Sequence, residues 1–181
     1  MPGWLVATRE NAELARRFIA ETAAKHGIAP DTLTLHADRG SPMVAQSVAL
    51  LLGSLGITQS HSRPHVSNDN PFSESGFKTL KYHPSFPQRF GSLEDARTFG
   101  QQFFTWYNTA HHHQGIGLHT PVQVHTGDAA GVRVHRQHTL TTAYTQHPER
   151  FVHGAPQPPA PPSVVWINRP LPQYPEVPML L

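Results

Sequence analysis

Nine of the eighteen prolines lie between Pro156 and Pro178, in a stretch with few charges. Proline has no backbone N–H and a fixed φ, so this segment can enter neither a helix interior nor a central strand. The spacing predicts an extended or polyproline-like tail over 155–181 rather than a domain. Secondary structure is therefore confined to about the first 150 residues, enough for one domain and an extension. No internal repeat interrupts that stretch.

Charged residues make up 14 % of the chain, against roughly 25 % in average domains. Fourteen histidines and the prolines take up the difference, and with neutral histidines the net charge is only +2. A strongly basic protein is thereby excluded, although protonation of the histidines below about pH 6.5 would raise affinity for nucleic acid. The chain has no cysteine, which rules out disulfides, thiolate zinc sites and a cysteine nucleophile. No apolar run approaches membrane-spanning length, and no basic segment followed by an apolar run opens the chain. A soluble, cytoplasmic protein is expected, with no membrane partner.

Hydrophobic periodicity and capping signals give the order of elements. Gly3 to Thr8 reads as the end of a strand without its hairpin partner. Asn11 caps a helix to about His26, with Leu14, Ala15, Phe18, Ile19 and Thr22 on one face and Gly27 as the left-handed stop. Thr32 to Ala37 reads as a short strand that places Asp38 at its carboxyl end, the end at which open α/β sheets bind ligands. Ser41 and Pro42 are expected to open a second helix, with Val44, Val48, Leu51, Leu52 and Leu55 buried and Gly56 ending it.

Ile57 to Ser60 then reads as an edge strand, and His61 to Asp69, with Pro64, as a mobile polar loop. Asn70-Pro71 opens a third helix that puts Glu74 in its first turn, with Glu74, Lys78 and Lys81 on one face and Phe77 and Leu80 toward the core. Ser92 and Asp95 resemble a capping box for a helix through Leu93, Ala96, Phe99, Phe103 and Tyr107 to Asn108. Thr120-Pro121 with Gln123 starts a short helix. A weaker helical pattern runs from Asp128 to about His147.

Asp38 and Glu74, with thirty-five residues between them, are the acids that point to chemistry. Carboxylates at the lips of two separate elements can form part of a divalent-metal site for phosphoryl transfer, in which two Mg²⁺ or Mn²⁺ ions sit about 3.5–4 Å apart. Such a site normally takes a third, bridging carboxylate, and none is expected ahead of Asp38. Each acid also has a plainer reading: Asp38 as a turn residue in Asp-Arg-Gly-Ser, Glu74 as a helix N-terminal carboxylate favoured by the macrodipole. Lys78, Lys81 and Arg63 are candidate phosphate contacts or simply a solvated basic face. His111-His112-His113 suggests a metal site, but three consecutive residues of a regular backbone cannot all face one ion. Most of the scattered His65, His83, His119, His125, His135, His138, His147 and His153 are expected on the surface.

Several motifs in order carry a resemblance: Gly3-Trp4, Glu10-Asn11-Ala12-Glu13-Leu14-Ala15, His36-Ala37-Asp38-Arg39-Gly40-Ser41-Pro42-Met43, Ser60-His61-Ser62-Arg63-Pro64, and Asn68-Asp69-Asn70-Pro71-Phe72-Ser73-Glu74. Phe77-Lys78-Thr79-Leu80-Lys81, Trp106-Tyr107-Asn108, His111-His112-His113 and Thr120-Pro121 continue it. Together they resemble the catalytic core of bacterial insertion-sequence transposases related to retroviral integrases, closely over about residues 3–127. Pro148-Glu149-Arg150-Phe151 and Val165-Trp166-Ile167-Asn168 extend the likeness into the tail.

The resemblance implies an α/β, ribonuclease-H-like fold and an Asp, Asp, Glu site that uses Mg²⁺ or Mn²⁺ to drive attack of water or a 3′-hydroxyl on a DNA phosphodiester. By it, Asp38 is the second acid, Glu74 the third, Lys81 the residue that holds the DNA end, and Lys78 a further DNA contact. The first Asp of that pattern, on an opening strand, has no counterpart here, since Asp31 sits just before the strand leading to Asp38. The chain is accordingly expected to be an N-terminally truncated core over 1–127 lacking its first two strands, a helical extension over 128–154 and the tail over 155–181.

Its expected partners are DNA, as transposon ends and target, and intact transposase subunits, in the nucleoid of a bacterial cytoplasm. The expected activity is DNA cleavage and strand transfer, absent in this chain alone. The alternative is a non-catalytic fragment that binds DNA or transposase and modulates transposition.

Overall fold

A computed structural model describes residues 1–64, 66 and 69–167. In chain order its elements are α1 (Ala12–Lys25), β1 (Leu33–Ala37), α2 (Gln46–Ser54), β2 (Ile57–His61), α3 (Pro71–Lys81), α4 (Leu93–Thr109), α5 (Pro121–His125) and α6 (Ala129–Gln146), with short 3₁₀ turns at Gln114–Ile116 and Pro148–Arg150. The architecture is α/β, as expected, with a sheet reduced to two parallel strands paired from Leu33 with Ile57 to Ala37 with His61. Parallel neighbours need a crossover, and α2 supplies it.

The crossover is what buries the first core. Val48 and Leu52 of α2 and Ile57 of β2 are buried, with Ala12, Ala15, Ile19 and Ala23 of α1 and Leu35 of β1 packed against them. Gly56 turns the chain from α2 into β2 at φ +64°, where any side chain would meet Pro30 at 2.7 Å. Its carbonyl accepts from Asp31 N at 2.8 Å, which fastens the entry to β1 beside the entry to β2. Beyond β1 opens an apolar cavity of about 540 Å³, lined by Phe18, Ile19, Leu33, Leu35 and Leu52 among others.

A second, aromatic cluster is organised by Phe103 of α4, the buried ring that Phe99, Phe104, Trp106, Tyr107 and His83 surround. Capping fixes the helices that bear on it. Ser92 Oγ accepts from Asp95 N at 3.0 Å at the start of α4. Thr120 and Gln123 exchange both bonds of a capping box at α5.

Several expectations need correction. Gly3 to Thr8 is not a strand: among the described residues no neighbour offers it a ladder, and Trp4 instead stacks on Phe104, with ring centroids 5.4 Å apart. Ser41 and Pro42 do not start α2. Turn bonds from Met43 N and Val44 N to Gly40 O hold them, the helix begins at Gln46 behind Ala45, and Val44 is left exposed. Phe77 is 61 % exposed rather than in the core, because α3 buries no residue against the rest.

Most of the scattered histidines are exposed as expected; among the described ones, His119, wholly buried in the loop between α4 and α5, and His83, half-buried among rings, are the exceptions. Arg63, expected in a mobile loop, donates to the buried Asp69 ahead of α3. His65 and Asn68 lie outside the described residues, as does the tail from 168 on, including Asn168.

Between 155 and 167 the tail has no regular structure, but it is not wholly free. Gln137 Nε2 of α6 donates to Pro156 O at 3.3 Å, and the backbone at Ala160 lies 2.8 Å from where a side chain on Gly117 would begin. Gly117 has φ +67°. Arg136 of α6 reaches the same turn, donating to Gly117 O and Leu118 O at 3.2 and 2.7 Å.

Candidate metal and nucleic-acid site

Asp38 follows β1 directly, at the carboxyl end of the parallel pair. Its Oδ1 accepts from Gly40 N at 3.1 Å, its carbonyl accepts from His61 Nδ1 at 3.1 Å, and the neighbouring Arg39 Nε donates to Ser62 O at 3.1 Å. The turn reading is therefore real, since the side chain closes an Asx-type turn. It does not exhaust the residue, because Asp38 is exposed and its second oxygen makes no hydrogen bond among the described residues.

The same turn brings in an acid that sequence reasoning missed. From the position a side-chain carbon would take on Gly40, Asp38 Oδ1 is 3.1 Å away and Glu10 Oε1 is 3.5 Å away. Glu10, ahead of Asp38 in sequence, thus lies beside the same Gly40 turn. The only sequence signal was its place one residue before the α1 N-cap Asn11, and nothing in local periodicity relates that position to the end of β1.

Glu74 lies in the first turn of α3, exposed, with its backbone N donating to Asn70 O at 3.2 Å. Lys78 and Lys81 follow at one and two turns, both exposed and without ion pairs among the described residues. The helical register thus delivers the acid and two cations to one solvent-facing stripe. Arg63 is differently engaged. Its N, Nε and Nη2 donate to the Asp69 carboxylate at 2.8, 2.9 and 2.9 Å, and its side chain is still 62 % exposed. Hydrogen bonding to Asp69, then its charge, raises the guanidinium pKa further.

The donor chemistry suits Mg²⁺ or Mn²⁺, hard cations that take carboxylate oxygens and retain water. Among the described residues, however, no three His, Cys, Asp or Glu side chains are grouped closely enough to hold an ion. The described residues therefore do not make up a closed or two-ion centre, and Asp38 and Glu74 stand among them as carboxylates open to solvent. His111 and His113 are held instead among rings, 4.3 Å from each other and beside Trp106 and Tyr107. Burial lowers both pKa values, helped at His111 by His112 and His83 and at His113 by His111 and the N-terminal amine.

Residues 55–121 match the integrase core domain family. The matched stretch contains β2, α3 with Glu74, Lys78 and Lys81, and α4, and it stops short of Asp38 on its N-terminal side. No curated protein matches the chain. Among the described residues no helix is long and apolar enough to cross a membrane.

Proposed function

We propose that this chain contributes the second and third carboxylates, Asp38 and Glu74, to a metal-dependent DNA cleavage and strand-transfer centre of the integrase and transposase type. The observation that carries the reading is the integrase core match over α3, where Glu74, Lys78 and Lys81 share one exposed stripe. Asp38 at the carboxyl end of a parallel strand supports it from outside the matched stretch. When bound, a divalent ion would polarise the scissile phosphate and lower the pKa of the attacking hydroxyl. The chain's part is to present carboxylates at two element ends and to hold the DNA backbone through Lys78 and Lys81, which position without reading sequence.

The centre takes a further carboxylate, supplied on an extended segment lying along the outer edge of β1. The apolar cavity beside Leu33 and Leu35 supports that placement. Strand-transfer assays with end-containing DNA and Mn²⁺ test the reading. The 181-residue chain is expected to give no joining alone, and to give joining when an Asp-bearing strand segment is supplied. Glu74→Gln abolishes the restored activity. Joining by the chain alone that survives Asp38→Asn would sink the assignment.

A non-catalytic role as a DNA- or transposase-binding modulator is the second reading, favoured by the want of a three-ligand group among the described residues. It predicts DNA binding that is indifferent to Asp38→Asn and no restoration by any added segment.

A further inference from the structure

We propose that His36, Asp69 and Arg63 are positioning residues that set α3, and with it Glu74, against the end of β1 that carries Asp38. The proposal rests on reading Asp38 and Glu74 as ligands of one centre.

His36 lies two residues before Asp38, and in extended backbone such residues face the same side. Its ring is bonded at both nitrogens: Nε2 lies 2.9 Å from Asp69 O and Nδ1 lies 2.7 Å from Ser60 Oγ. A backbone carbonyl can only accept, so Nε2 carries a proton, and Nδ1 shares a hydrogen bond with the Ser60 hydroxyl. Ser60 is the residue paired with His36 across the sheet. The imidazole is thus locked by the neighbouring strand and aimed at the loop that enters α3.

Asp69 sits five residues before Glu74 and is buried to 3 % exposure. Its carboxylate takes the three Arg63 donors, tying residue 63 to residue 69. A buried carboxylate deprived of its donors is strongly unfavourable, so Arg63 and Asp69 are held together. The Asn70 side chain makes no cap bond at α3. With that usual device unused, the entry angle of the helix is set by Asp69, through its carbonyl toward His36 and its carboxylate toward Arg63. The path from Asp38 to Glu74 therefore runs through hydrogen bonds rather than packing, which matches an α3 that buries none of its residues.

The chain has no cysteine, so Thr58→Cys and Ser75→Cys, at exposed positions of β2 and α3, accept a specific pair of spin labels in the full-length chain. Pulsed EPR should give one narrow distance distribution in the parent and in His36→Gln, whose amide can still donate to the Asp69 carbonyl. His36→Leu and Asp69→Ala should broaden it. Ser60→Ala, a small change that frees the ring, should broaden it less and keeps the test open if His36→Leu does not fold.

Mn²⁺ affinity should fall roughly tenfold in the broadened variants, the lower end of what removal of an outer support produces, while DNA affinity stays at the parent value. Distributions as narrow in His36→Leu and Ser60→Ala as in the parent would overturn the proposal. So would broadening with undiminished Mn²⁺ affinity in a parent whose Mn²⁺ binding needs Asp38 and Glu74. Parent binding that ignores both Asp38→Asn and Glu74→Gln would instead remove the reading of the centre, and the distance widths would still decide whether the brace exists.

Discussion

Trp4 stacks on Phe104 of α4, with ring centroids 5.4 Å apart and planes 24° from parallel, and its six-membered ring passes 2.9 Å from the point where a side chain on Gly100 would begin. The opening segment is thus held to α4 by ring contact rather than by a strand ladder. Overfilling a packed contact of this kind costs about 1–3 kcal/mol. Gly100→Ala should lower the thermal midpoint by several degrees, and Trp4→Leu should relieve part of the loss in the double variant. An unchanged midpoint in Gly100→Ala would mean that the Trp4 contact does not form in solution.

Cation binding should be weak and should depend on carboxylates from both element ends. Manganese titration followed by EPR is expected to show affinity in the millimolar range, since a preformed set of ligands is lacking. Asp38→Asn and Glu74→Gln should each reduce it. Glu10→Gln should reduce it as well, because Glu10 Oε1 and Asp38 Oδ1 converge beside Gly40. If Glu10→Gln binds as the parent does while Asp38→Asn does not, the convergence at Gly40 has no part in holding the ion.

DNA binding should be low in affinity and indifferent to sequence. Lys78→Ala and Lys81→Ala should each weaken it across sequences and lower the salt slope by about 1, as expected when one phosphate fewer is neutralised. Fluorescence anisotropy at several salt concentrations measures both. A Lys81→Ala variant with the parent slope would remove that lysine from the DNA interface.

Stability should fall as pH drops below the ordinary histidine range. His111 and His113 have folded pKa values lowered, chiefly by burial, so the unfolded chain binds protons more readily than the native one. The sign follows directly: their contribution is complete above the unfolded value of about 6.5, is lost as pH falls from there to the lowered folded values, and is constant below them. Thermal scans should show a midpoint that declines from about pH 7.5 to about pH 5.5, a range that brackets that unfolded value, with a shallower decline in His113→Phe. A slope untouched by that substitution would place the titrating groups elsewhere.

How much of this was legible beforehand differs element by element. The starts of α3 and α5 and the cap of α4 could be read because they rest on neighbours in sequence: Pro71 at the first position of α3, Thr120 with Gln123, Ser92 with Asp95. The stripe of Glu74, Lys78 and Lys81 is equally local, a consequence of helical period alone. Val44 and the start of α2 were misread because Ser41-Pro42 is as good a turn as a helix opening. The carbonyl of Gly40, three residues from Met43 and four from Val44, decided between them.

Phe77 was misread for a different reason. Burial is a property of what packs on a residue: α3 buries none of its residues against the rest, while His119 is fully buried, with its Nδ1 bonded to Ile116 O. By itself the sequence determined the type and order of most elements and the stripe of Glu74, Lys78 and Lys81, since these depend on spacings of one to four residues. Only the tertiary structure decided that Glu10 lies beside the Gly40 turn with Asp38 and that Arg63 is bound to a buried Asp69. It alone decided that His36 ties the strand to the helix entry. Contacts between side chains far apart in the chain, or across an irregular loop, leave no periodic trace for a sequence to display.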